Sequence, residues 1–262
     1  MRRAVPGACL LVLAMYAQAS AGQPYETDDP APAEYRTYEI YAYGDYRHFI
    51  DTNGSGVVET SPIALEVDYG LFPNIEFSIA VPILYRRSFS DTGSPVSSQG
   101  TGDLAIGTVY RFLQETKTRP QISINPCVTL ATGTLRDDPS EVHGKFLLPL
   151  WPQKSIGKWT VFGGGGAMFD WDGTSRLSWI GGVAATYDVT DATNIGIEFD
   201  RTTPRTDTPN GITDVDVGFI QDVGKFHAVM FSFGRSLQPG TFHGYAAYEW
   251  MLGPKTKPEF TR

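Results

Sequence analysis

This sequence has no long hydrophobic run, no cysteine pair that could persist after processing, no cluster of basic residues and no histidine spacing suited to a metal. No stretch approaches the ~20 apolar residues that a membrane-spanning helix requires, which excludes a helical membrane protein. Cys9 lies in a leader-like segment, so Cys127 is left alone and the fold must hold without an internal disulfide. The formal net charge is −8, and removal of Arg2 and Arg3 would make the chain more acidic still. An acidic chain without a basic patch argues against nucleic acid as a partner. The four histidines, His48, His143, His227 and His243, stand in isolated contexts without metal-ligand spacing. No G-x-S-x-G elbow and no His-x-Ser arrangement of an outer-membrane phospholipase occurs, so a lipid-modifying enzyme is a distant third reading and no catalytic residue is assigned.

"MRRAVPGACLLVLAMYAQASA" has a charged start, a short apolar run and Ala19-Ser20-Ala21, which together read as a secretory signal peptide over 1–21. The chain would then divide into an N-terminal periplasmic segment 22–34, a transmembrane barrel 35–252 and a C-terminal tail 253–262, with one domain and no linker.

Period two dominates the chain beyond residue 34. In "IALEVDYGL", Ile63, Leu65, Val67, Tyr69 and Leu71 share one face, and Ala64, Glu66, Asp68 and Gly70 the other. In "IEFSIAVPILY", Ile75, Phe77, Ile79, Val81, Ile83 and Tyr85 alternate with Glu76, Ser78, Ala80, Pro82 and Leu84. Such alternation marks strands with one oily face and one wet face. A soluble sandwich alternates too, but strands of ~9–11 residues closing in aromatics fit a barrel in lipid. The same pattern gives twelve segments: 35–47, 61–71, 75–85, 103–113, 121–131, 144–153, 159–171, 177–187, 194–200, 213–220, 227–235 and 242–252. Short turns such as "LFPN" and "KSIGK" exchange with long polar loops such as "FIDTNGSGVVET" and "RRSFSDTGSPVSSQGT". The fold class expected is all-β: a single antiparallel up-and-down transmembrane β-barrel of about 12 strands in the bacterial outer membrane, following a cleaved signal peptide.

The wet faces would line a lumen. They carry Glu39, Glu66, Asp68, Glu76, Asp103, Glu198, Asp200, Asp214, Asp216 and Glu249, with Arg47, Arg111 and Lys145 as counter-charges. Tyr41, Tyr43 and Tyr245 would add aromatic surface. These charges either tune the field of a water-filled path or pair with one another and close a narrow interior. Two other features resolve to structure. Asp51-Thr-Asn53-Gly-Ser55-Gly56 imitates half a calcium loop, but Pro62 stands where the bidentate Glu belongs. Gly163–Gly166 lacks the Gly-Lys-Ser/Thr and strand-to-helix context of a phosphate cradle; within a strand it permits a bend or the close approach of facing aromatics.

"TDDP" (27–30), "YGLFPNIEF" (69–77), "GTGDLAIGTVYRFLQE" (100–115) with "RPQ" (119–121), "FLLPLWPQKSIGKWTVFGGGG" (146–166) and "GRSLQPGTFHGYAAYEW" (234–250) extend over nearly the whole mature chain. On them the sequence resembles the MetA-pathway of phenol degradation family of outer-membrane barrels. The resemblance implies a porin-like transport protein linked to passage of aromatic or other small molecules, and brings no catalytic residues. The expected partners are outer-membrane lipid, the barrel-assembly machinery for insertion and a small-molecule solute, without cofactor or metal. A closed-lumen structural or interaction barrel is the alternative function.

Overall fold

Alternation of side chains across a pleated strand places one set on each face of a sheet, and closure of the sheet turns those faces into an inside and an outside. A computed structural model describes residues 24–50, 56–90, 93–135, 144–170, 177–203, 211–237 and 241–254. The leader, the calcium-like loop at 51–55, His143 and the tail beyond Pro254 lie outside these residues.

Among the described residues the chain forms β1 (Tyr38–Ile50), β2 (Gly56–Phe72), β3 (Ile75–Ser90), β4 (Gly93–Thr101), β5 (Leu104–Leu113), β6 (Gln121–Ile124), β7 (Cys127–Leu130), β8 (Lys145–Ile156), β9 (Trp159–Asp170), β10 (Ser178–Thr190), β11 (Thr193–Thr202), β12 (Ile212–Asp222), β13 (His227–Ser236) and β14 (Thr241–Leu252). Neighbours pair antiparallel in chain order, and β1 pairs with β14, which closes the sheet. β4 and β5 are two halves of one stave, pairing with the upper and lower parts of β3. β6 and β7 form another, interrupted at Asn125-Pro126, where proline cannot donate to the ladder. The result is a closed barrel of twelve staves, the number expected from the alternation.

The two faces are inverted relative to a water-soluble protein. Leu65 is 54% exposed whereas its neighbour Glu66 is 1% exposed. Ile63, Phe77, Ile79, Val81, Ile197, Phe199, Phe231 and Phe233 are likewise exposed, while Asp68, Glu76, Glu198, Asp214 and Asp216 are buried. A sandwich would bury the apolar set, so the soluble alternative falls. Aromatics gather outside the short-turn rim, including Tyr38–Tyr69 with centroids 4.5 Å apart and Trp159–Tyr187 at 4.9 Å. Phe146–Phe169, at 6.3 Å, belongs to the opposite rim. Paired belts of this kind sit at the two interfaces of a membrane. The chain is an outer-membrane β-barrel.

Three departures from the expected strands have a local physical cause. The first strand begins at Tyr38, because Arg36 takes φ 65° in a turn closed by the Thr37 amide on the Glu34 carbonyl at 2.9 Å. Within "RRSFSDTGSPVSSQGT", read as loop, most residues continue β3 and form β4 as a tall hairpin, since Ser, Thr and Val suit a strand that has left the apolar zone. In β2, Pro62 and Ile63 both face outward: the register slips by one residue between Tyr43 and Asp45 of β1, a bulge that inverts the alternation above it.

Candidate functional site: the barrel interior

The acidic inner wall does not meet an empty lumen. Residues 24–34, expected in the periplasm, enter from the short-turn rim and run up inside the barrel as a strap. This corrects the assignment of that segment. Its polarity and its Pro and Asp content gave no strand pattern, yet its backbone N–H groups need acceptors, and the carboxylates of the wall supply them. Glu198 accepts from both Glu26 N (2.9 Å) and Thr27 N (2.5 Å), and Glu76 accepts from Ala33 N at 2.6 Å. Asp28 accepts from Asn125 Nδ2 at the break between β6 and β7, while Ser123 Oγ fixes Asn125 Oδ1 at 2.6 Å. Glu26 takes Arg47 Nη2 at 2.9 Å. Asp29 turns back to accept from Ala31 N at 2.7 Å, shaping the strap around Pro30. "TDDP" is thus the body of the strap. Burial holds the Asp28 carboxyl well above the usual carboxylate range, with the charge of Asp29 adding to it and the Asn125 hydrogen bond opposing it.

Tyr25 is 4% exposed and makes an edge contact with Phe162, centroids 6.0 Å apart. Its ring lies against Gly218 and its hydroxyl against Gly196, which are register partners on β12 and β11. A Cβ on Gly218 would stand 2.5 Å from the ring, so the glycine pair forms the seat of the tyrosine.

The residues assigned to the lumen from alternation fall into three groups. Near the short-turn end, Glu39 stands opposite Asp68 and Tyr41 opposite Glu66. Tyr41 Oη reaches Glu39 at 3.0 Å and Glu249 at 3.4 Å. Tyr43 and Tyr245 lie with centroids 5.6 Å apart, forming with Tyr41 a small aromatic surface, and Glu76 on β3 anchors the strap. At mid-height and above, Glu198, Asp200, Asp214 and Asp216 form an acidic ladder on β11 and β12. Arg47 is 3.7 Å from Asp214, Ser236 donates to Asp214, and His243 Nε2 is 2.6 Å from Asp216. The remaining three lie towards the ends. Asp103, between β4 and β5, accepts Gly133 N at 2.8 Å, and Arg111 donates to Gln121 (3.3 Å) and the Pro73 carbonyl (3.1 Å) at the short-turn rim. Lys145 pairs in register with Asp170 near the long-loop end.

Sequence reasoning missed Glu59 and Arg86 as inner-wall groups, and it put Asn125 on the wet face of 121–131 without assigning it a role. Arg86 Nε meets Glu59 at 2.5 Å within the tall hairpin region that was read as loop. The Gly163–Gly166 tract serves close approach, but to backbone rather than to aromatics: a Cβ on Gly164 or Gly166 would collide with the Leu150 or Leu148 carbonyl of β8. Among the described residues, the hydrogen bonds of His227 and His243 run to Tyr248 and Asp216, away from any serine hydroxyl.

No protein-family model matches the chain, and no curated protein matches it. Solved structures do. An outer membrane channel from Pseudomonas putida F1 is similar with a TM-score of 0.73 and 16% identity, over 87% of this chain and 100% of that one. The translocator domain of the autotransporter NalP from Neisseria meningitidis gives 0.56 and 11%, over 81% and 88%. The NanC porin gives 0.52 and 8%, over 81% and 100%. At these identities the likeness shows the fold.

Proposed function

We propose that this barrel is a passive, porin-like channel or uptake protein for small solutes, with its own N-terminal strap as a constriction in the path. The observation that carries the reading is an acidic inner wall inside a closed barrel, occupied by a segment held mainly through polar contacts, with Tyr25 against Phe162 as its one apolar anchor among those described. Such contacts to charged groups contribute only about 1.5–3 kcal/mol each, so a strap held by a few of them can be displaced. The aromatic surface of Tyr41, Tyr43 and Tyr245 fits aromatic solutes, in keeping with the resemblance to the MetA-pathway family. The likeness to a channel and a porin supports the non-enzymatic reading. The strap itself favours the second reading, a closed-lumen structural or interaction barrel.

Planar-bilayer recordings of the purified barrel separate the two. Stable ionic currents, together with phenol entry into liposomes carrying the protein, support the channel. Persistent silence with a folded barrel supports the closed one.

A further inference from the structure

Glu198, Asp200 and Asp216 bring one carboxylate oxygen each to within 4.8 Å of one another. Glu198 and Asp216 are register partners, and Asp200 lies two residues further along the same face of β11. Burial is nearly complete for Glu198 and for Asp216, which is 3% exposed. Such proximity calls for compensating positive charge. Arg47 is turned towards Glu26 and Asp214, and His243 engages Asp216 through Oδ1. Among the described residues, Asp200 Oδ2 and Asp216 Oδ2 have no hydrogen-bond partner.

A separate observation from the strap points to the same place. The Tyr25 hydroxyl is buried without a hydrogen-bond partner among the described residues, above the Gly196–Gly218 rung that adjoins Glu198 and Asp216. The hydroxyl lies against Gly196, two residues from Glu198 along β11 and on the rung next to the Glu198–Asp216 pair. A tyrosine hydroxyl and three carboxylates make an all-oxygen set, which suits a hard cation. Calcium takes six to eight oxygens at about 2.3–2.6 Å in flexible geometry and suits a set supplied by the protein, whereas magnesium keeps several of its waters and demands a near-ideal octahedron.

We infer that Glu198, Asp200 and Asp216 bind a calcium ion between the β11–β12 wall and the strap, with the Tyr25 hydroxyl on its strap side. Because Glu198 also accepts the Glu26 and Thr27 amides, the bound ion ties wall and strap into one unit.

The test is isothermal titration of calcium into the refolded full-length barrel in detergent, with terbium luminescence as a second readout. It needs no conductance and so stands apart from the channel reading. One saturable site per barrel is expected, weakened about tenfold or more in Asp200→Asn and in Asp216→Asn. Heat-shifted migration verifies that each variant folds, and Asp200, only partly buried, is the substitution least prone to disturb it. Magnesium should compete poorly. Absence of saturable calcium binding in the native barrel, or equal affinity in folded Asp200→Asn, overturns the site; equal affinity for magnesium overturns the choice of ion.

Discussion

Leu65 and Asp68, three positions apart on β2, face different solvents, and their substitutions should therefore diverge. Leu65→Arg places a cation on the lipid side and should cost about 2–4 kcal/mol of folding stability near the midplane. Asp68→Asn alters only the inner wall, so folding yield should survive while ion preference shifts. Folded yield, read by unheated gel migration, checks both, and equal yields would contradict the face assignment. A second residue-scale expectation concerns the seat of Tyr25. Gly218→Val would drive side-chain atoms into the Tyr25 ring and displace the strap while leaving the β12 ladder intact. Cleavage after Glu26 by a glutamate-specific protease should accelerate in that variant; an unchanged rate would mean that the ring has another seat.

The staves and the strap differ in how much of them the sequence discloses. Period-two alternation is a local signal, so β2, β3, β5 and the run through Asn125-Pro126 were legible with their faces correct. The bulge at Pro62-Ile63 hid the first part of β2, because a parity change there breaks the pattern that reveals the strand. Polar strand extensions above the membrane zone, such as β4, carry no apolar face and therefore read as loop. The strap was not legible at all. Its partners Glu198, Asn125 and Glu76 are distant in sequence, and nothing in "TDDP" indicates which wall it meets. The acidic residues were found for the same reason as the staves, but their convergence across two strands is a property of register. Glu198→Ala removes the acceptor of two strap amides, each worth about 1.5–3 kcal/mol, and should destabilise strap docking by about 3–6 kcal/mol. Hydrogen exchange over residues 24–34 measures this, and unchanged protection would show that the anchoring lies elsewhere.

At the scale of the molecule, the barrel presents apolar side chains outward, carboxylates inward and its own N-terminal segment across the interior. A lumen wall rich in carboxylates favours cations along any water-filled path. The central claim is that the strap obstructs this path. Single-channel recording of the intact barrel beside a variant lacking residues 24–33, both verified as folded by heat-shifted migration, tests it most directly. The account predicts a severalfold larger conductance in the shortened barrel, with a reversal potential that reports cation preference. Equal conductance in the two folded proteins, or silence in both, would contradict it.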